Sequence, residues 1–285
     1  MPDNLHITEP AFALLPEAEI VTLQGPDAVA FCQAQFASDA ASLAVGHWQW
    51  SAWLTPKGRV IALFLLARPD EQTITLVLPD GDAGTIAEQL RRFVFRRKLR
   101  IEARGDLAAH GRLAAAPTGG NQLAIEPDRL LFDLGTGDLG RTLCVQASTP
   151  QANSDTGLAL AWRELDLRMG IPRLEASQRE QWTPQQIGLD RLGAYSVRKG
   201  CYPGQEIVAR THFLGKAKRS TRLLETDAHA QPGDEVRRDG QAIGSLASVA
   251  AGLALAVLPL EVEEDGLTVR GEPARVVPFL EGLAR

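Results

Sequence analysis

Arg198-Lys199-Gly200-Cys201-Tyr202-Pro203-Gly204-Gln205-Glu206-Ile207-Val208-Ala209-Arg210 is the segment whose reading decides the fold. It gathers a thiol, cations, a carboxylate, an amide and a phenol around two glycines. Glycine permits backbone angles and close approaches that other residues forbid, and Pro203 fixes one torsion beside Gly204. So dense a mixture of turn formers and polar groups reads as a shaped site rather than as core. A helix is expected from Gln205 to Thr211, and its amide-rich start at Gly204 can receive an anion or a carbonyl oxygen. Cys201 is the candidate reactive thiol, because cations such as Lys199 and Arg198 favour the thiolate. The alternative is a structural loop cysteine.

The remainder of the chain bounds what such a site can be. A length of 285 residues supports two or three domains. The formal net charge of -5 argues against a dedicated nucleic-acid binder. Cys32, Cys144 and Cys201 form no Cys-x-x-Cys pair, so no metal site is expected, and reduced thiols in the cytoplasm are the simplest account. Met1 to Leu15 lacks the basic-then-apolar pattern of a signal peptide. Ala242 to Leu260 carries no charge, but it is rich in Ala, Gly and Ser. Two buried strands turning near Ala250-Ala251-Gly252 fit it better than a membrane helix.

Along the chain, Ile20 to Leu23 reads as a strand, and Gly25-Pro26 opens a helix with Ala28, Phe31, Cys32, Gln35 and Phe36 on one face. Trp48, Trp50 and Trp53 are expected on one side of the next strand, as core or as the wall of a planar-ligand pocket. Pro56-Lys57-Gly58 turns into a strand from Val60 to Leu66 that carries no acid. A strand at Thr73 to Leu78, a helix bearing Ile86, Leu90 and Phe93, and a strand at Lys98 to Ala103 complete an α+β unit. Arg91 to Arg100 is strongly basic and reads as a solvated face, or as a contact for a polyanionic ligand tail or RNA. Gly105 to Gln151 reads as loops and hairpins without a site, with short strands at Gln122 to Ile125 and Leu130 to Leu134. Leu158, Trp162, Leu165 and Met169 stripe one face of a helix ended by Gly170, with Trp162 in the core. Thr183-Pro184-Gln185-Gln186 resembles a capping box opening another helix. After Gly215, evenly spaced turn signals predict a small all-β barrel or sandwich.

Lys199-Gly200-Cys201-Tyr202-Pro203-Gly204-Gln205-Glu206 resembles the signature of the YgfZ family of folate-binding proteins. Gly25-Pro26-Asp27 with Phe31, Gln33, Gln35 and Asp39, then Pro56-Lys57-Gly58, then Trp162 with Gly170-Ile171-Pro172, resemble its other blocks in order. The resemblance implies an α+β, three-domain fold like the T-protein aminomethyltransferase of the glycine cleavage system, with ferredoxin-like units and a C-terminal β-barrel. On that expectation, residues 1–55 with 105–214 form the folate-binding region, 56–104 an inserted ferredoxin-like unit, and 215–285 the barrel. It implies tetrahydrofolate or a derivative as cofactor, with Trp162 matching a folate-contact tryptophan and Cys201 the signature cysteine. The residues themselves suggest the rest. Tyr202, Gly204, Gln205 and Glu206 read as a wall of the pocket, with Gln205 and Glu206 bonding a pterin's polar edge or else simply starting the helix, and Lys199 beside Cys201 as a chemical residue. The resemblance also implies a second folate-contact tryptophan before the first strand, where Ala18 stands.

The implied role is an accessory one: assembly or repair of iron–sulfur clusters in client enzymes, including those that thiolate tRNA. Its partners would be folate and client or assembly proteins, with no stable nucleic-acid complex and no membrane. The competing reading is a folate-dependent aminomethyl or one-carbon transferase. Those transferases place an acid on the strand after the glycine turn, where Ala62 and Leu63 stand here. Lacking that carboxylate, a substrate amine has no charge partner or general base, which favours the accessory role.

Overall fold

The computed structural model describes residues 10–149, 153–215, 217–227 and 229–281. Most of the N-terminal stretch weighed as a signal peptide lies outside them. The chain opens with β1 (Ala13–Leu14), β2 (Glu19–Gln24), α1 (Ala28–Gln35), β3 (His47–Leu54), β4 (Val60–Arg68), β5 (Thr73–Leu78), α2 (Ala83–Arg91) and β6 (Arg100–Ala103). It continues through β7 (Leu107–Arg112), β8 (Ala124–Glu126), β9 (Arg129–Asp133), β10 (Thr142–Ala147), α3 (Thr156–Arg168) and α4 (Gln205–Phe213). Last come β11 (Arg219–Glu225), β12 (Glu235–Arg238), β13 (Gln241–Ala250), β14 (Leu253–Pro259), β15 (Leu267–Val269), β16 (Glu272–Pro273) and β17 (Arg275–Val277).

The first sheet has the order β3-β4-β5-β2-β6 with antiparallel neighbours, which is the ferredoxin-like arrangement extended by β3 at one edge. Both helices cover one face, where Phe31 and Cys32 of α1 and Ile86 and Leu90 of α2 meet Leu23, Phe64 and Leu76. The opposite face, with Ile20, Trp48, Trp50 and Leu65, joins a central core. Alternation along β3 therefore sends Trp53 to the helix side, not to the side of Trp48 and Trp50 as expected. An inserted unit at 56–104 would cut the β3–β4 hairpin and omit β2 and β3 from their own sheet.

The stretch expected to be loops and hairpins builds most of a second sheet, β1-β7-β10-β9-β8, in which β8 and β9 overlap the two expected short strands and β7 and β10 are unexpected. Its β7, LAAHGR, holds two alanines and a glycine among six residues, so pairing with β1 and β10 rather than propensity makes it a strand. The lead-in from Thr183 folds as successive turns instead of a helix, because Gly188 and Gly193 take positive φ. Half of the capping box survives there, the Thr183 N–H donating to Gln186 Oε1 at 3.0 Å. The seven-stranded third sheet, β16-β15-β12-β13-β14-β11-β17, forms a nearly closed antiparallel barrel. Its β13 and β14 are the two buried strands expected from Ala242 to Leu260, turning at Ala251 and Gly252, both with positive φ. Among the described residues, no helix is long and apolar enough to cross a membrane.

Arg173, just past α3, joins these units. Its guanidinium donates to Asp80 Oδ1 after β5 (2.6 Å), to Asp166 Oδ2 in α3 (3.1 Å), and to Glu17 Oε2 before β2 (2.9 Å). Its backbone N–H and C=O both bond the Ser248 hydroxyl at 2.9 Å, where a bulge interrupts β13 of the barrel. Asp166 in turn accepts from Arg141, at the head of β10, at 2.6 Å. All three sheets thus meet on one buried chain of charges. Replacing Arg173 by Met leaves Asp80 and Asp166 buried without this cation. The expected loss is about 3–5 kcal/mol, read as a lower urea midpoint. Ser248→Ala removes two buried neutral hydrogen bonds and should cost about 2 kcal/mol.

Candidate functional site

A cavity of about 270 Å³ lies beside this charge chain, between α3 and the central face of the first sheet. Trp50, Leu65, Val77, Leu143 and Trp162 make its apolar wall, and Ala18 lines it as well. Glu17, Arg163, Asp166 and Arg173 supply its polar groups. Trp162 is 5% exposed and held from both sides. The Arg141 guanidinium lies 3.8 Å from its ring centroid, and a Cβ added at Gly111 would come within 2.7 Å of its Cε3. Trp162 is therefore both core and cavity wall.

Arg141 is fully buried, and burial pulls its pKa below the ordinary arginine value, while Asp166 opposes that shift. Burial acts on Arg173 in the same sense, but Asp80, Asp166 and Glu17 outweigh it and raise the pKa. Both oxygens of Asp166 are consequently engaged by cations. A smaller cavity of about 120 Å³ adjoins through the shared residues Trp50 and Leu134. It reaches Leu192 and Gly193, which lead into the signature segment.

The signature itself does not line the larger cavity. Lys199 is buried, and its ammonium donates to the carbonyls of Gln33 (2.7 Å), Phe36 (2.5 Å) and Ser38 (2.8 Å). These include carbonyls at the C-terminal end of α1, where a helix leaves acceptors unpaired and favours a cation. Burial lowers the Lys199 pKa to about 8, opposed by Asp39. Its role in the structure is thus to hold the signature against α1.

Gly204 caps α4 with φ +80°, and a Cβ there would meet Thr55 O at 2.6 Å and Gly58 Cα at 2.8 Å. The Pro56-Lys57-Gly58 turn and the signature share this contact, which only glycine allows. The Tyr202 hydroxyl donates to Ser196 O at 2.9 Å, and burial raises its pKa to about 12. Gln205 Nε2 donates back to Lys199 O at 2.8 Å, and Glu206 stands exposed in the first turn of α4. Cys201 is exposed, whereas Cys32 and Cys144 are buried. Burial raises the pKa of both buried thiols, that of Cys144 to about 11. The structure therefore brings Lys199, Tyr202, Gly204 and Gln205 together as a brace behind Cys201, and places Trp162 separately, at the cavity.

No family model matches the chain. A tRNA-modifying protein YgfZ from Photobacterium profundum is 27% identical over 86% of this chain and 82% of its own length. One from Cronobacter sakazakii is 26% identical over 78% of this chain and 74% of its own. The chain is similar to YgfZ proteins along most of its length. Among solved structures, the glycine cleavage system aminomethyltransferase T of Bartonella henselae superposes with a TM-score of 0.71 at 18% identity. The alignment covers 96% of this chain and 86% of that one. The aminomethyltransferase-like fold follows from that likeness.

Sequence reasoning missed Arg141, Arg173 and Glu17. Arg173 directly follows the Gly170-Ile171-Pro172 block, which was a usable signal; Arg141 stands in a stretch with none. Two substitutions test the brace. Gly204→Ala should destabilise by about 1–3 kcal/mol through backbone strain and overpacking, read in thermal unfolding. Lys199→Met leaves three buried carbonyls without their donor, and should cost about 3 kcal/mol while speeding proteolytic nicking near Cys201.

Proposed function

We propose that this chain is a folate-binding accessory protein supporting assembly or repair of iron–sulfur clusters in client enzymes, including tRNA-thiolating ones. The observation that carries the reading is the cavity walled by Trp50 and Trp162 with a polar side formed by Glu17, Arg163, Asp166 and Arg173. A space of about 270 Å³ suits a planar bicyclic ring but not a whole folate, whose remainder would extend outward. Indole walls favour a flat heterocycle, and the carboxylates and guanidinium groups match its donors and acceptors. Ala18 leaves room on the wall where the family resemblance implies a tryptophan. Bound tetrahydrofolate or a derivative would supply a carrier for one-carbon units.

Gln205 is engaged with the backbone of its own loop and lies outside the cavity, whereas the buried Arg163 Nε on the cavity's polar side has no hydrogen-bond partner among the described residues and is the donor best placed to meet the ring. Cys201, exposed at the start of the α4 region, is the thiol a client or a sulfur species can reach. Phe213 and Leu214 at the far end of α4 are exposed apolar side chains fit for a protein partner.

The transferase reading is favoured by the fold alone. Leu63 of β4 is packed into the central core, and Asp166, a carboxylate lining the cavity, has its oxygens taken by two arginines. Titration of reduced folates by quenching of tryptophan fluorescence should give saturable binding that Trp162→Ala weakens at least tenfold. Cys201→Ser should bind folate normally yet fail to restore cluster-dependent tRNA thiolation in cells lacking the protein. Unchanged binding by Trp162→Ala moves the ligand elsewhere; full rescue by Cys201→Ser makes the cysteine structural.

A further inference from the structure

We propose that residues 93–98, within the loop joining α2 to β6, are a docking surface for single-stranded or looped RNA. In this mode Phe95 stacks on a base, and Arg96, Arg97 and Lys98 contact phosphate.

The charge argument comes first. Arg91, Arg92, Arg96, Arg97, Lys98 and Arg100 fall within ten residues that include no acid, in a chain of net charge -5. Three of these cations are occupied: Arg91 by the Ile101 carbonyl, Arg92 by Glu88 and Arg100 by Glu102. Among the described residues, Arg96, Arg97 and Lys98 form no ion pair. Arg97 lies over the Phe31 ring at 5.7 Å, and its buried Nη1 has no hydrogen-bond partner.

The second observation is independent of charge. Phe95 is 86% exposed, and it sits at φ +49°, a left-handed backbone angle that costs a phenylalanine. Its neighbour Phe93 instead meets Trp53 edge-on at 6.4 Å. Among the described residues nothing covers the Phe95 ring, which stands beside Arg96 and Arg97 on a shallow depression also bordered by Asp27 and Ala30. Asp27 is the acid facing this depression, and its carboxylate accepts the Lys98 backbone N–H at 2.6 Å.

The loop is also held in place. Gly25 packs so closely that a Cβ there would lie 2.3 Å from Lys98 O, and the Arg97 N–H donates to Val94 O at 2.9 Å. A fixed, flat aromatic ring flanked by unpaired cations suits a partner with alternating π-faces and phosphates. A membrane surface would call for a broad apolar helical face, which a six-residue loop does not offer. An acidic protein would satisfy the cations but gives the exposed ring no stacking partner.

The test is fluorescence anisotropy with a labelled single-stranded RNA of a dozen nucleotides, alongside anionic phospholipid vesicles and an acidic polypeptide. Folate binding serves as the control for folding. Wild type should bind RNA with strong salt dependence. Phe95→Ala should weaken binding roughly tenfold, within the range of base–aromatic stacking. Arg96→Glu with Lys98→Glu should lower the slope of log K against log salt by about one or more. RNA binding that both variants leave unchanged overturns the proposal. So does RNA affinity lost with the charges but untouched by Phe95→Ala, since stacking would then play no part. Loop-dependent binding of the vesicles or the acidic polypeptide without RNA binding overturns it in favour of that partner.

Discussion

The architecture depends on where one buried guanidinium finds its acceptors. Arg173 cannot leave its charge unpaired in the interior, because desolvation of an isolated ion costs several kcal/mol. Its partners come from segments before β2, after β5 and within α3, and its backbone is pinned to the barrel through Ser248. Satisfying one residue therefore ties the first sheet and α3 to the barrel, and the second sheet joins through Asp166 and Arg141. The same chain, through Asp166 and Arg141, holds Trp162 in place and so shapes the cavity. Rigid packing of the units and construction of the candidate site are one physical event.

The signature works differently. Its residues were expected to be a wall of the ligand site, and most of them serve as a brace. Lys199 neutralises the end of α1, Gly204 admits the Pro56-Lys57-Gly58 turn, and Gln205 closes the loop on itself. A motif rich in polar groups can be specific because each group answers a backbone demand, with ligand contact left to other residues. What the brace presents outward is Cys201, the exposed thiol, while burial keeps Cys32 and Cys144 protonated.

Much of the fold was legible because local pattern and tertiary demand agree. The Ala250-Ala251-Gly252 turn, the glycine stop of α3 and the barrel after Gly215 all carry chemistry that acts over a few residues. Legibility failed where pairing overrides propensity, as in β7 of the second sheet, whose Ala- and Gly-bearing segment reads as loop. It failed also where a one-residue offset matters, since Trp53 shares its strand but not its face with Trp50.

The sequence by itself determined an α+β unit with helices on one side of its sheet, a C-terminal all-β unit, and the signature with its likeness to YgfZ proteins, because these rest on spacings within short segments. Tertiary structure alone decided that Arg141, Asp166 and Arg173 form the heart of the molecule and that Ala18 and Trp162 line one cavity. The reason is distance along the chain. Arg173 bonds Asp80 across 93 residues and Glu17 across 156, and no local pattern records partners so far apart.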